Sequence, residues 1–255
     1  MDNLIHLPDY AFLPTRTLSI GSANGHFEDQ SVPDVSFASL IKTHLVTAGE
    51  YEEYFYDLKA QNQTWIGMGA DPRTREVIAL YRGASNQEVR AEMKKIRSNT
   101  AYRACRDQTL LEGAFRVFRV TPPFYSNKPE DPAICMDWWM AQAYCNYQQW
   151  TDGKGRTVQG RLPTEAEWKR AAWGPEDRET GLWHRIWKAM RGRTNSIHVS
   201  ENKSEWCLDR GSEPDSRVVR YAYYRDEYGT GNFFSSLGFR VVFPVIQELP
   251  ASLNA

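Results

Sequence analysis

Residues 160–174 read GRLPTEAEWKRAAWG, and the reading of this stretch decides the fold. Thr164 followed three residues later by Glu167 is the pattern of a capping box. In that motif the hydroxyl accepts a free N–H of the first helical turn, and the glutamate reaches back to the N–H of the cap. Pro163 stiffens the entry. Glu165 and Glu167 lie at the positive end of the helix dipole, with Lys169 and Arg170 further along. Gly174 and Pro175 mark the stop. Nothing in the stretch is a nucleophile, so its residues read as structural.

Working outward, residues 133–150 (AICMDWWMAQAYCNYQQW) form a second strong helical pattern. Asp137 caps it, and Trp138, Ala141 and Cys145 fall on one stripe. Earlier, THLVTAGEYEEYFYDL holds another capping box at Thr47 and Glu50, with Tyr51, Tyr54, Phe55 and Leu58 on a shared face. Residues 62–83 suggest a hairpin turning at Asp71, Pro72 and Arg73, and a charged helical stretch follows at 87–96. Residues 59–118 carry no separate core and read as an elaboration. From 175 to 240 regular signals fade into a long irregular region, and LGFRVVFPVI closes as a strand. Loop-dominated regions of that length in a compact domain usually carry function.

The totals exclude several classes. The chain has 255 residues, and 31 Lys and Arg nearly cancel 32 Asp and Glu, so no basic field points to nucleic acid. No run approaches the roughly 20 apolar residues needed to span a bilayer. MDNLIHLPDYAFLP lacks the pattern of a signal peptide, so synthesis in the cytoplasm is expected. Cys105, Cys135, Cys145 and Cys207 have no CxxC spacing and read as reduced thiols.

The segments AQAYCNYQQW, GRLPTEAEWKRAAWG, NKSEWCLD and LGFRVV resemble, in order and spacing, the formylglycine-generating enzyme or sulfatase-modifying-factor family. The resemblance implies an α+β, C-type-lectin-like fold, loop-rich, with two main helices. It implies one domain over 1–255 with an insertion at about 59–118. Members of that fold include copper-dependent oxidases, iron-dependent sulfoxide-forming enzymes and non-catalytic binding proteins, so fold alone does not settle function.

The oxidases resemble one another in a cysteine pair after an RGGSW segment. Here Arg210, Gly211 and Ser212 stand nearest to that segment, and no cysteine follows Cys207. His6, His26, His44, His184 and His198 show no HxH or HxxxH spacing. The chain is therefore read as leaning away from enzymes, with a metal-dependent oxidase, non-haem iron or copper, as the alternative. Cys105 and Cys135 are the thiols left unassigned. In the family, a GNVWEW segment commonly helps to hold calcium. Here it reads ENKSEW, which keeps Asn202 and Glu205 as oxygen ligands or as hydrogen-bonding loop residues, with calcium the one cofactor implied.

YAYYRDEYGTGNFFSS, residues 221–236, has the composition of a paratope, in which tyrosines give rigid contact area and small polar residues give adaptable hydrogen bonds. Its position resembles the ligand face of C-type-lectin-fold proteins of phages and bacteria. Tyr221, Tyr223, Tyr224, Asp226, Tyr228 and Asn232 are the expected contact residues. If the segment is one strand, alternation puts half of its tyrosines inside. The leading expectation is a non-catalytic module that recognises a protein or glycan, as an oligomer or within a larger assembly such as a virion.

Overall fold

A computed structural model describes residues 9–13, 38–70, 77–81, 87, 91, 114–121, 128–152, 154–173, 197, 199, 202–213, 215–221 and 224–245. Its architecture is α+β, as expected, and the described residues hold three helices. Helix α1 spans Ala48–Ala60, α2 Trp138–Tyr147 and α3 Glu165–Trp173, and α3 grows from the RLPTEAEW stretch itself.

Both capping boxes form. The Glu50 N–H donates to Thr47 Oγ1 at 3.3 Å, and the Thr47 N–H donates to Glu50 Oε2 at 2.8 Å. The Glu167 N–H donates to Thr164 Oγ1 at 3.2 Å, and the Thr164 N–H donates to Glu167 Oε2 at 2.8 Å. Asp137 caps α2 by accepting the Met140 N–H at 2.7 Å. The expected stripe on α2 is too narrow a description: every residue from Trp138 to Cys145 is buried. A helix apolar on all sides belongs in the middle of a core.

The strands arrange in small sheets. β1 (Tyr10–Leu13), β2 (Ser39–Lys42) and β12 (Val242–Pro244) form one sheet with β2 in the centre, so early and late segments pair directly. β3 (Trp65–Ala70), β4 (Val77–Tyr81) and β5 (Ala114–Arg119) form an antiparallel sheet with β3 in the centre. The β3–β4 hairpin agrees with the sequence expectation; its turn residues lie outside the described set. Residues 87 and 91 are helical, and the rest of the expected 87–96 helix lies outside it too. β6 (Gln149–Thr151) pairs with β7 (Thr157–Gln159).

The region expected to be irregular holds the main sheet. β8 (Ser204–Arg210), β9 (Ser216–Tyr221), β10 (Tyr224–Gly229) and β11 (Leu237–Gly238) form four strands in the order β10-β9-β8-β11. Alternation along β8 and β9 buries both faces. Trp206 and Val219 join a large cluster with Tyr51, Trp138, Tyr144 and Phe239, while Cys207 and Val218 join a second cluster with Trp168, Ala171 and Ile41. Buried indoles are satisfied where they cross between elements: Trp138 Nε1 donates to the Cys207 carbonyl and Trp206 Nε1 to the Met136 carbonyl, each at 2.9 Å.

The closing strand expected over LGFRVVFPVI is two short strands, β11 and β12, in different sheets. Arg240 sits between them with 0% exposure. Gly160 shows how tightly this junction is built. A Cβ there would stand 2.6 Å from the Cys145 carbonyl oxygen and 2.8 Å from Val241 Cγ1, so only glycine fits.

Candidate binding face

The tyrosine-rich segment is not a single strand. It folds as the β9–β10 pair, with Tyr221 directly opposite Tyr224. β10 lies at the edge of its sheet. Side chains two apart share a face of a strand, so Tyr224, Asp226 and Tyr228 line one side of β10 and Arg225 and Glu227 the other.

The first side is aromatic. The Tyr221 and Tyr224 rings lie nearly parallel, 6.3 Å apart at 19°. Tyr228 packs on Phe234 at 5.0 Å between ring centroids. Tyr224 is 63% exposed, Phe233 64% and Phe234 43%. Asp226 and Asn232 are exposed beside them, while Tyr221 and Tyr228 are half-buried. The neighbouring Asp226 raises the Tyr228 phenol above its ordinary range, and partial burial adds to this. Five of the six expected contact residues thus lie on or beside one hairpin. Tyr223 lies outside the described residues. Phe233 and Phe234 were missed, although their place in the same segment was a usable signal.

The second side is an ionic clamp that sequence reasoning did not find. Glu165, at the start of α3, accepts from Lys169 at 2.9 Å, from Arg220 of β9 at 3.2 Å and from Arg225 of β10 at 3.1 Å. Arg225 also donates to Glu227 at 2.6 Å, and Glu227 accepts the Ser212 N–H and hydroxyl at 2.5 and 2.6 Å. Burial alone would raise the Glu165 carboxyl, yet the three cations hold it below the usual carboxylate range. Beside it, Arg161 grips Glu167 with two bonds of 2.6 and 2.7 Å. The glutamates assigned to the helix dipole therefore do more: one locks the loop before α3, and the other ties α3 to the back of the edge strand.

Glu205 has a different partner from the one expected. It is 1% exposed, and both of its oxygens accept from Arg240, at 2.5 and 2.7 Å. The guanidinium pairs with its charge and takes two of the roughly four lone-pair positions of the carboxylate. Asn202 is exposed on the turn before β8. Among the described residues, no group of three or more His, Cys, Asp or Glu could hold a metal ion.

The thiols of Cys135, Cys145 and Cys207 are free and buried. Burial raises each above its ordinary value, Cys145 and Cys207 strongly. Cys105 and four of the five histidines lie outside the described residues, and His44 is exposed.

The family model of the sulfatase-modifying factor enzyme 1-like domain (FGE-sulfatase) matches residues 6–205. The chain belongs to this family. Among solved structures, PvdO from Pseudomonas aeruginosa is similar at 17% identity, covering 92% of this chain and 94% of that one, with a TM-score of 0.50. CarF is similar at 14% identity, covering 93% and 98%, with a TM-score of 0.50. Treponema denticola variable protein 1 aligns over 92% and 94% at 16% identity, with a TM-score of 0.46. At these identities the first two likenesses speak to the fold alone. No curated protein matches the chain. The family match ends at Glu205, so the hairpin that carries the aromatic face lies beyond it. No helix among the described residues is long and apolar enough to cross a membrane.

Proposed function

We propose that this chain is a non-catalytic binding module of the family, which recognises a partner through the aromatic face of the β9–β10 hairpin. One observation carries the reading. An edge strand and the loop after it hold out Tyr224, Phe233 and Phe234, with polar Asp226 and Asn232 among them. Aromatic anchors with a polar surround are the composition of recognition surfaces. The ionic clamp behind β10 supports the same reading, because it fixes the strand before any partner arrives and so lowers the entropy lost on binding. Residues 59–118 enter the proposal as an insertion on the one domain. Calcium has no role in it, and the alternative of an iron or copper oxidase draws no support from the described thiols, which burial keeps protonated.

The test is site-specific photo-crosslinking. A photoreactive residue at position 224 should trap a discrete partner in an extract of the source cells, and one at exposed Glu52 of α1 should not. Equal labelling at both positions would remove the reading. Metal analysis of chain purified without chelators addresses the alternative: about one copper or iron per chain would turn attention to oxygen-dependent turnover.

A further inference from the structure

The aromatic face carries an exposed carboxylate, while Lys203, beside the loop of Phe233 and Phe234, donates to the Ser235 carbonyl at 3.4 Å. Asp226 is exposed between Tyr224 and Tyr228 on the same side of β10. Its Oδ1 accepts the Glu227 N–H at 2.8 Å, which orients the carboxylate. Among the described residues no cation pairs with it. Arg225 is directed to the opposite side, where Glu165 and Glu227 hold it. Arg217, across from Tyr228 in register, is 1% exposed and lies over the Trp138 ring at 4.4 Å.

We infer that the occupant of this face is an arginine side chain presented by a basic peptide segment, an assignment that rests on the binding reading above. The Tyr224 ring offers an exposed, electron-rich face already backed by Tyr221. A fixed carboxylate stands two residues away on the same side, roughly 7 Å along the strand. A guanidinium uses both at once: its plane stacks on the ring, and its fork of N–H donors reaches the carboxylate. An ammonium pairs with the carboxylate but keeps its water and does not stack as a plane. A neutral sugar stacks on the ring but leaves the charge of Asp226 unmatched. Phe233 and Phe234 extend the apolar surface beyond what one side chain covers, which suits an arginine embedded in a chain with apolar neighbours.

The test is fluorescence anisotropy of the full chain with labelled oligo-arginine, oligo-lysine and oligo-glutamate peptides and a labelled neutral oligosaccharide, at physiological salt. Oligo-arginine should bind, and more tightly than oligo-lysine. Tyr224→Ala and Asp226→Asn should each weaken it about fivefold or more, and Glu52→Gln should leave it unchanged. Asp226→Asn keeps the size of the side chain, so it carries the test if Tyr224→Ala does not fold. Oligo-arginine binding that ignores both variants, or that equals oligo-lysine, overturns the assignment. Oligosaccharide or oligo-glutamate binding that is lost in Tyr224→Ala overturns the arginine while leaving the face as a binding site. If no probe depends on Tyr224, the arginine assignment fails, and the crosslinking result decides the wider reading separately.

Discussion

Glu205 and Arg240 form a two-pronged ion pair wholly inside the molecule, and the same guanidinium donates to the carbonyl of Thr43 at 2.6 Å and to that of Lys42 at 3.3 Å. These contacts join β8, the link between β11 and β12, and the end of β2. Removing one partner strands a buried charge. Arg240→Met should therefore destabilise the fold by about 3–5 kcal/mol in urea titrations. The double variant Glu205→Leu with Arg240→Met should recover much of that loss, because no lone charge remains. A single variant within about 1 kcal/mol of the parent would show that the pair is not sealed from water.

The Glu165 clamp sets a pH dependence of definite sign. Its folded-state value is depressed, so its contribution is fully present above the unfolded carboxyl value of about 4.3 and is lost as pH falls through the folded value. Glu165→Gln should lower stability at pH 7 by about 1–3 kcal/mol, and the gap from the parent should close on acidification. Hydrogen exchange should quicken along β10, the strand that Arg225 ties to α3. Unchanged exchange there would mean that β10 is held by its pairing with β9 alone.

Asp137 behaves in the opposite sense. Burial pushes its carboxyl up to about 6, against the lowering effect of the Met140 and Trp139 N–H groups. A raised carboxyl means the folded chain holds this proton more tightly than the unfolded one. Its effect on stability is most favourable below the unfolded value of about 3.9 and declines as pH rises to about 6. Asparagine caps a helix as well as aspartate and carries no charge, so Asp137→Asn should match or exceed the parent at pH 7 and flatten the decline. Asp137→Ala should lose about 1 kcal/mol through the missing cap. Thermal melts at pH 4, 5, 6 and 7 check both variants, and a parent that gains stability across that range relative to Asp137→Asn would contradict the assignment.

The described thiols should be inert in the native state. Cys135, Cys145 and Cys207 are buried with raised values, and the thiolate is the reactive form. Iodoacetamide at pH 8 should leave all three unmodified by mass spectrometry until denaturant is added. Rapid native labelling of Cys145 or Cys207 would point to an opening that the packing does not show.

What the sequence made legible was local. Capping boxes depend on residues three apart, so Thr47, Glu50, Thr164 and Glu167 declared themselves, and the RLPTEAEW stretch carried the family with them. The main sheet was hidden because β9 sets Arg217 and Arg220 inside, against the usual exposure of arginine. The β9–β10 hairpin was hidden because Ala222 and Tyr223, between the paired Tyr221 and Tyr224, carry none of the glycine or asparagine that marks tight hairpin turns. The clamp on Glu165 joins residues 55 and 60 apart in the chain, a separation at which no local pattern exists. Tyr224, Asp226 and Asn232 were legible as a composition; their place on an edge strand was not.

The central position of β2, between β1 and β12, has a consequence for how the chain is made. Arg240 reaches back 197 and 198 residues to the carbonyls of Thr43 and Lys42, so these contacts form only after nearly the whole described chain has left the ribosome. Contacts of such long separation slow folding, because a large loop must close before any gain is realised. Until β12 arrives, one side of β2 lacks its strand, and the apolar Leu40 and Ile41 beside it are exposed to any other strand that comes near. Molecular chaperones that shelter such an edge should raise the yield of this protein more than they raise its final stability.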